Sequence, residues 1–311
     1  MAYGVSAGRR FLRAFCCPHP DLTGVTTRLA ARLPGMGGPA MTMRRPRGDA
    51  LVAIAVVGLL SLAAIVHPVR PIFALALLVW LVAARRRGGR VPPIVAAVLP
   101  VALILAWAAL QQPVATPAVD WCADPLSPPS LWRLAEAGIG LLAVLTLVIG
   151  GAGSLRDLGL RRPSRRVAIA SVLAFVVAGP MALFGGSILG GLFFGQFELD
   201  VWRFGALVPA LLFAASNALA EELAYRGAMR VWLVPALGIV GANLAQAVVF
   251  GLAHTGTDFD GPMMPVIIAM VAGGFIGGVV ARRTGSLAFL LAVHAAADLP
   301  IYYYWACRLP A

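Results

Sequence analysis

Residues 204–226 read FGALVPALLFAASNALAEELAYR. Positions 204–220 carry no charge, and then Glu221, Glu222 and Arg226 arrive within about one and a half helical turns. On a helix Glu222 and Arg226 stand i, i+4 and can pair, with the carboxylate N-terminal to the cation, the better order. Glu221 then projects about 100° away from that pair, free for other work. An ionisable side chain in hydrocarbon costs roughly 2.5–3.5 kcal/mol on insertion scales. Either these groups mark a helix end at the membrane surface, or they have a task inside it.

The rest of the chain repeats the apolar half of that stretch. Of 311 residues, 60% are hydrophobic and 12% charged, about half the charged fraction of a soluble domain. Mean hydropathy is +0.87. The surplus lies in long runs, so the fold class is all-α, a polytopic transmembrane bundle of eight to nine helices. The runs are 51–66, 71–84, 92–110, 134–152, 167–194, 204–220, 231–253, 263–281 and 287–304. The second is short enough to be re-entrant, and the fifth is broken at Gly179-Pro180.

Net charge is +12, all of the positive charge being arginine. It does not imply nucleic acid, because the arginines sit in short loops between apolar runs. Arg44/Arg45/Arg47, Arg85/Arg86/Arg87/Arg90, the 156–166 segment, Arg226/Arg230 and Arg282/Arg283 fall in alternate loops. The other loops hold Asp120 and Asp124, Glu198 and Asp200, Asp258 and Asp260. Arginine-rich loops face the cytoplasm, which predicts a multi-pass protein of the cytoplasmic membrane with its C-terminus outside and Glu221–Arg226 towards the cytoplasmic half. Its partners are then membrane lipids and a substrate at the membrane. Of the cysteines, only Cys122 and Cys307 can meet on one side, and none has metal-ligand spacing.

Four segments follow. Residues 1–47 have no apolar core and read as a disordered extension, or as sequence ahead of a start at Met41 or Met43. Residues 50–153 are the N-terminal helices. Residues 154–166 are a basic cytoplasmic connector, and 167–305 hold the chemistry-bearing helices. Small residues gather in 185–195 (GGSILGGLFFG) and 273–278 (GGFIGG), patterns that let helices approach closely and imply packing only.

His19 lies in the N-terminal extension and His67 in a loop. The other two of the four histidines fall in the C-terminal apolar runs, each with a partner at helical spacing: Phe250 with His254, and His294 with Asp298. Removing these groups and the glutamate pair from water costs roughly 10 kcal/mol unless they satisfy one another, which predicts one shared polar pocket. Glu221, His254, His294 and Asp298 can activate a water by carboxylate base and imidazole, or can hold Zn²⁺ that does so. The spacing is not H-E-x-x-H, and no serine or cysteine sits in a nucleophile motif.

EELAYR (221–226), FGLAH (250–254) and HAAAD (294–298) resemble, in order and rough spacing, the E-E-x-x-x-R, F-x-x-x-H and H-x-x-x-N/B motifs of the CPBP (ABI) intramembrane proteases. That family includes the CAAX prenyl proteases and bacteriocin-processing enzymes; the likeness covers about 201–304, with Leu158-Gly159-Leu160 as a weaker companion. The resemblance implies an intramembrane endopeptidase whose site opens to the cytoplasmic side. It acts on membrane-associated, prenylated or bacteriocin-type substrates, with Zn²⁺ or with a metal-free glutamate. Carried over by position, Glu221 activates the water and His254 helps to hold it. Glu222 and Arg226 are the supporting pair, His294 and Asp298 stabilise the intermediate, and Phe250 packs. Asp298 stands where the family often has Asn; an ionised Asp would repel an oxyanion, so it must be protonated, paired with Arg226, Arg282 or a histidine, or bound to metal. The competing class is non-enzymatic: an immunity or scaffold protein, or a proton-coupled transporter using the same buried groups.

Overall fold

The computed structural model describes residues 47–110, 121–193, 200–255 and 263–307, with side chains undescribed at Arg47 and at 187–193. The N-terminal extension, His19, residues 111–120, Glu198, Asp258, Asp260 and the last two residues of GGSILGGLFFG therefore lie outside the described residues, as do most of the side chains of that stretch. Residues Arg45–Ala311 form one compact unit.

Nine α-helices and no strand occur among the described residues: α1 (Arg47–Ile65), α2 (Val69–Arg86), α3 (Pro93–Leu110), α4 (Pro128–Ile149), α5 (Arg165–Phe193), α6 (Leu207–Glu221), α7 (Arg230–Ala253), α8 (Met263–Thr284) and α9 (Ala288–Ala306). A π-helical segment, Glu222–Met229, joins α6 to α7. Six stretches are long and apolar enough to cross a membrane, so the all-α, multi-pass reading holds.

Three details differ from the expected runs. The short second run is a full helix, because its last turn extends through Arg85 and Arg86, cations that suit a helix C-terminus. At the other end Arg70 is buried and donates from Nε to the Ala63 carbonyl (3.3 Å) and from Nη2 to that of Ala64 (2.6 Å). It thereby satisfies carbonyls left over where α1 stops. Secondly, α5 runs straight through Pro180. Proline removes one donor, and membrane helices tolerate it where neighbours supply the freed groups. Thirdly, α7 is kinked at Gly238 (φ 74°, ψ 173°), backbone that glycine adopts without a Cβ penalty.

Three apolar cores result, the smallest of them Ala281, Leu287 and Leu290 where α8 turns into α9. One joins α1–α4, the π segment and α7, and takes in Leu158 of the connector. A second joins α9 to α6, from Ala210 to Ala218, and to Cys122. Cys122 and Cys307 are disulfide-bonded across 185 residues. Beside the bond, Tyr302 Oη donates towards the carbonyls of Trp121 and Cys122 (both 3.2 Å). The glycines of 273–278 do the packing expected of them: a Cβ on Gly274 would crowd Ala247 and Phe250, and one on Gly278 would land on the Asn243 side-chain oxygen. Asn243 and Gln246 of α7 use that closeness to donate to the carbonyls of Phe275 and Gly274 on α8.

Candidate active site

α6 ends where its charges begin, and the chain winds on as a π segment in which every residue from Glu222 to Met229 is buried. Such wide turns are rare and recur at functional sites. Here the consequence is positional. Glu222 and Arg226 do pair, at 3.4 Å, but Glu221 is not turned away to separate work. Both carboxylates converge on His294, Glu222 Oε1 lying 2.8 Å from Nδ1 and Glu221 Oε2 3.3 Å from Nε2. His294 reaches them from α9, which also carries Asp298 one turn on, its Oδ2 3.6 Å from the same Nε2.

Phe250 of α7 is more than filler. Its ring lies under the Arg226 guanidinium (3.8 Å to the centroid) and against His254 (4.8 Å), Tyr225 (5.2 Å) and His294 (6.2 Å). His254 stands just past the end of α7, and its Nδ1–H donates to the Phe250 carbonyl at 2.7 Å. That bond places a proton on Nδ1 and orients Nε2 away from the Phe250 carbonyl. Glu221, His254, His294 and Asp298 all line one cavity of about 420 Å³, within the size range of small-molecule and peptide sites. The shared pocket read from the sequence is thus assembled, with Glu222 and Arg226 just behind its wall.

Asp298 has partners that remove the objection to a carboxylate here. Asn217 Nδ2 donates to Asp298 Oδ2 at 2.8 Å, and His294 stands on its other side. Arg226 is committed to Glu222. Asn217 escaped the sequence reading. Its only signal was a carboxamide inside an uncharged run, one turn before Glu221. Arg133 and Glu136 of α4 (2.6 Å apart) also line the cavity and were missed; their signal was an i, i+3 charge pair in an apolar helix.

As placed, the expected zinc donors do not form a zinc nest. A ligand imidazole must offer the metal a lone pair, yet both His294 nitrogens face carboxylate oxygens. Among the described residues no group of three or more His, Cys, Asp or Glu is arranged to hold an ion. What the cluster does offer is unmet hydrogen-bonding capacity: Glu221 Oε2, Glu222 Oε2 and Asn217 Oδ1 are buried without a hydrogen-bond partner. Orphaned acceptors of this kind are expensive unless water or substrate meets them.

No curated protein and no solved structure is significantly similar to the chain. A family model does match, that of the Type II CAAX prenyl endopeptidase Rce1-like proteins, over residues 202–300. Those limits enclose Asn217, the glutamate pair, Arg226, both cluster histidines and Asp298. Residues 202–300 are thus an Rce1-like domain of the CPBP family of intramembrane endopeptidases.

Proposed function

We propose that the protein hydrolyses a peptide bond of a membrane-associated polypeptide, using a water activated by Glu221 without a metal. The observation that carries the reading is the meeting of Glu221 and His294 at 3.3 Å, inside a cavity also lined by His254 and Asn217. Glu221 Oε2 takes one proton from the water, while the other stays on the oxygen and is hydrogen-bonded to Nε2 of a neutral His254, which aims the nucleophile. The water oxygen bonds to the scissile carbonyl carbon, and the carbonyl electrons move onto its oxygen. That oxyanion is met by Nε2–H of His294 and by the second amide hydrogen of Asn217, donors whose orientation is set in advance. Collapse re-forms the carbonyl and breaks the C–N bond, and Glu221 returns its proton to the leaving amine.

Glu222 and Arg226 support this chemistry without touching substrate. Glu222 holds His294 by Nδ1, and Arg226 supplies the counter-charge. In this reading the arginine-rich loops face the cytoplasm and the protein resides in the cytoplasmic membrane. The substrate is an extended segment with apolar side chains, as suits walls formed by Ile104, Leu105, Met181, Phe213 and Ile301. Prenylated, CAAX-like and bacteriocin-type chains meet that description.

The test is cleavage of a peptide library by purified, reconstituted protein, with Glu221→Ala and His294→Ala as controls. Cleavage that disappears in both variants supports the reading. Wild-type cleavage by both overturns it, as does pH-gradient-driven flux, abolished by Glu221→Gln, in a protein that cuts nothing.

A further inference from the structure

The Arg133–Glu136 pair of α4 has no part in the chemistry above. It lies near the start of a helix long and apolar enough to cross a membrane, ahead of the matched region 202–300. Stability does not account for it. A buried ion pair is often equalled or bettered by apolar residues of similar volume, and an ionisable side chain inside a span is by default a mark of function. Both residues line the cavity that holds Glu221 and His294.

The two members are not presented alike. The Arg133 side chain is 20% exposed and that of Glu136 3% exposed, with Arg133 Nη1 2.6 Å from Glu136 Oε2. The carboxylate therefore sits behind, and the charge offered to the cavity is positive. Glu136 holds the guanidinium on one side. On another lies the Phe213 ring of α6, its centroid 5.6 Å from Cζ. The turn before Arg133 is pinned as well. Ser130 Oγ donates to the Pro209 carbonyl of α6 at 3.4 Å, and Ser127 Oγ lies 3.1 Å from Tyr302 Oη of α9. Trp107 Nε1 of α3 donates to the Trp132 carbonyl at 3.3 Å. A cation fixed in advance loses little freedom when it binds. Its planar fork matches a carboxylate bidentately, and five N–H donors let one guanidinium hold two carboxylates at once. Arg70, which also lines the cavity, is buried and serves the carbonyls at the end of α1.

We propose that Arg133 is a specificity-determining residue, binding a carboxylate of the substrate. The cavity wall is otherwise apolar at Ile104, Leu105, Phe213 and Ile301. A polypeptide is then selected by apolar side chains together with one anionic group, either its C-terminal carboxylate or an Asp or Glu side chain. Glu136 supplies the counter-charge that Arg133 needs before substrate arrives. The inference deepens the proposed hydrolase reading and rests on it for the cleavage that follows, but its test reads binding alone.

The test is binding of dansyl-labelled apolar pentapeptides, followed by fluorescence anisotropy, to the full chain in lipid nanodiscs. The chain carries Glu221→Gln so that no peptide is consumed. One pair of peptides ends in a free acid or an amide; a second pair, both amidated, holds an internal Asp or Asn. In one pair the acid member is expected to bind about tenfold to a hundredfold tighter, the usual worth of a hydrogen bond to a charged group. The pair that discriminates identifies the source of the carboxylate. Arg133→Gln combined with Glu136→Gln strands neither charge and brings that pair to within about twofold. Arg133→Lys keeps Glu136 paired but loses the fork, and lowers the preference by at least about threefold, so that one variant's failure to fold leaves the other. Acid members that bind no tighter than their partners, or do not bind, overturn the inference. So does a preference that survives these substitutions, or a double variant that weakens acid and neutral members equally, the mark of a packing role. An Arg133-dependent preference in a wild-type chain that cuts none of the peptides would support the carboxylate subsite and fault the hydrolase reading.

Discussion

Replacing Glu222 by Gln removes the counter-charge from a guanidinium whose side chain is 4% exposed, and replacing Arg226 by Met strands a carboxylate that is 3% exposed. Breaking one partner of a buried pair costs about 3–5 kcal/mol, because the survivor keeps its desolvation penalty and loses its partner. The amide introduced by Glu222→Gln would still present an oxygen to His294 Nδ1, which puts that variant near 3 kcal/mol. Arg226→Met also forfeits the stacking on Phe250 at 3.8 Å, worth about 2 kcal/mol when desolvated, which puts it near 5 kcal/mol. The double variant leaves neither member of the pair charged, so of this pair only the lost stacking remains, about 2 kcal/mol. The singles sum to about 8 kcal/mol, and the shortfall of well over 3 kcal/mol is the coupling of neighbours. The assay is reversible unfolding of the purified protein in mixed micelles by denaturing detergent. A double variant whose loss equals the sum of the singles to within about 0.5 kcal/mol would refute the buried pair, and with it the role given to Glu222 in holding His294.

Four other outcomes are expected. Glu221→Gln lowers kcat by about 10²- to 10⁴-fold, the usual worth of a positioned general base, with an unchanged or higher unfolding midpoint; turnover within tenfold of wild type would exclude Glu221 as the base. Asn217→Ala lowers kcat by about 10²- to 10³-fold, as for removal of one oxyanion donor, with KM within about twofold; a loss confined to KM would limit Asn217 to holding Asp298. Gly278→Ala drives a Cβ onto the Asn243 side-chain oxygen and destabilises by about 1–3 kcal/mol, whereas Gly273→Ala, with nothing within 4 Å of the new atom, shifts thermal unfolding little. Metal analysis of active protein finds well under one zinc per chain, and a strong chelator leaves the rate unchanged; stoichiometric zinc lost together with activity would overturn the metal-free mechanism.

Much of the molecule was legible along the chain. Run length and charge spacing set helix number and direction, because hydrocarbon penalises every unpaired charge and unsatisfied backbone group in a way that depends on composition alone. The same cost implied that Glu221, Glu222, His254, His294 and Asp298 would meet, and cysteine placement left one pair, Cys122 and Cys307, able to bond on one side. The three motifs were readable because each is local, a set of residues within one or two turns.

What the tertiary structure decided is everything that depends on two helices at once. The π winding after Glu221 turns both carboxylates onto one imidazole, a convergence that i, i+4 counting on an ideal helix does not contain. Asn217 joins the site only because α6 and α9 cross where Asp298 can accept its amide hydrogen, and Phe250 becomes a platform only because four side chains from three segments reach it. The seating of Leu158 of the connector against Gly227 of the π segment is likewise a property of packing. Composition could place these groups in the membrane; only the way the helices lean on one another determines which of their atoms touch.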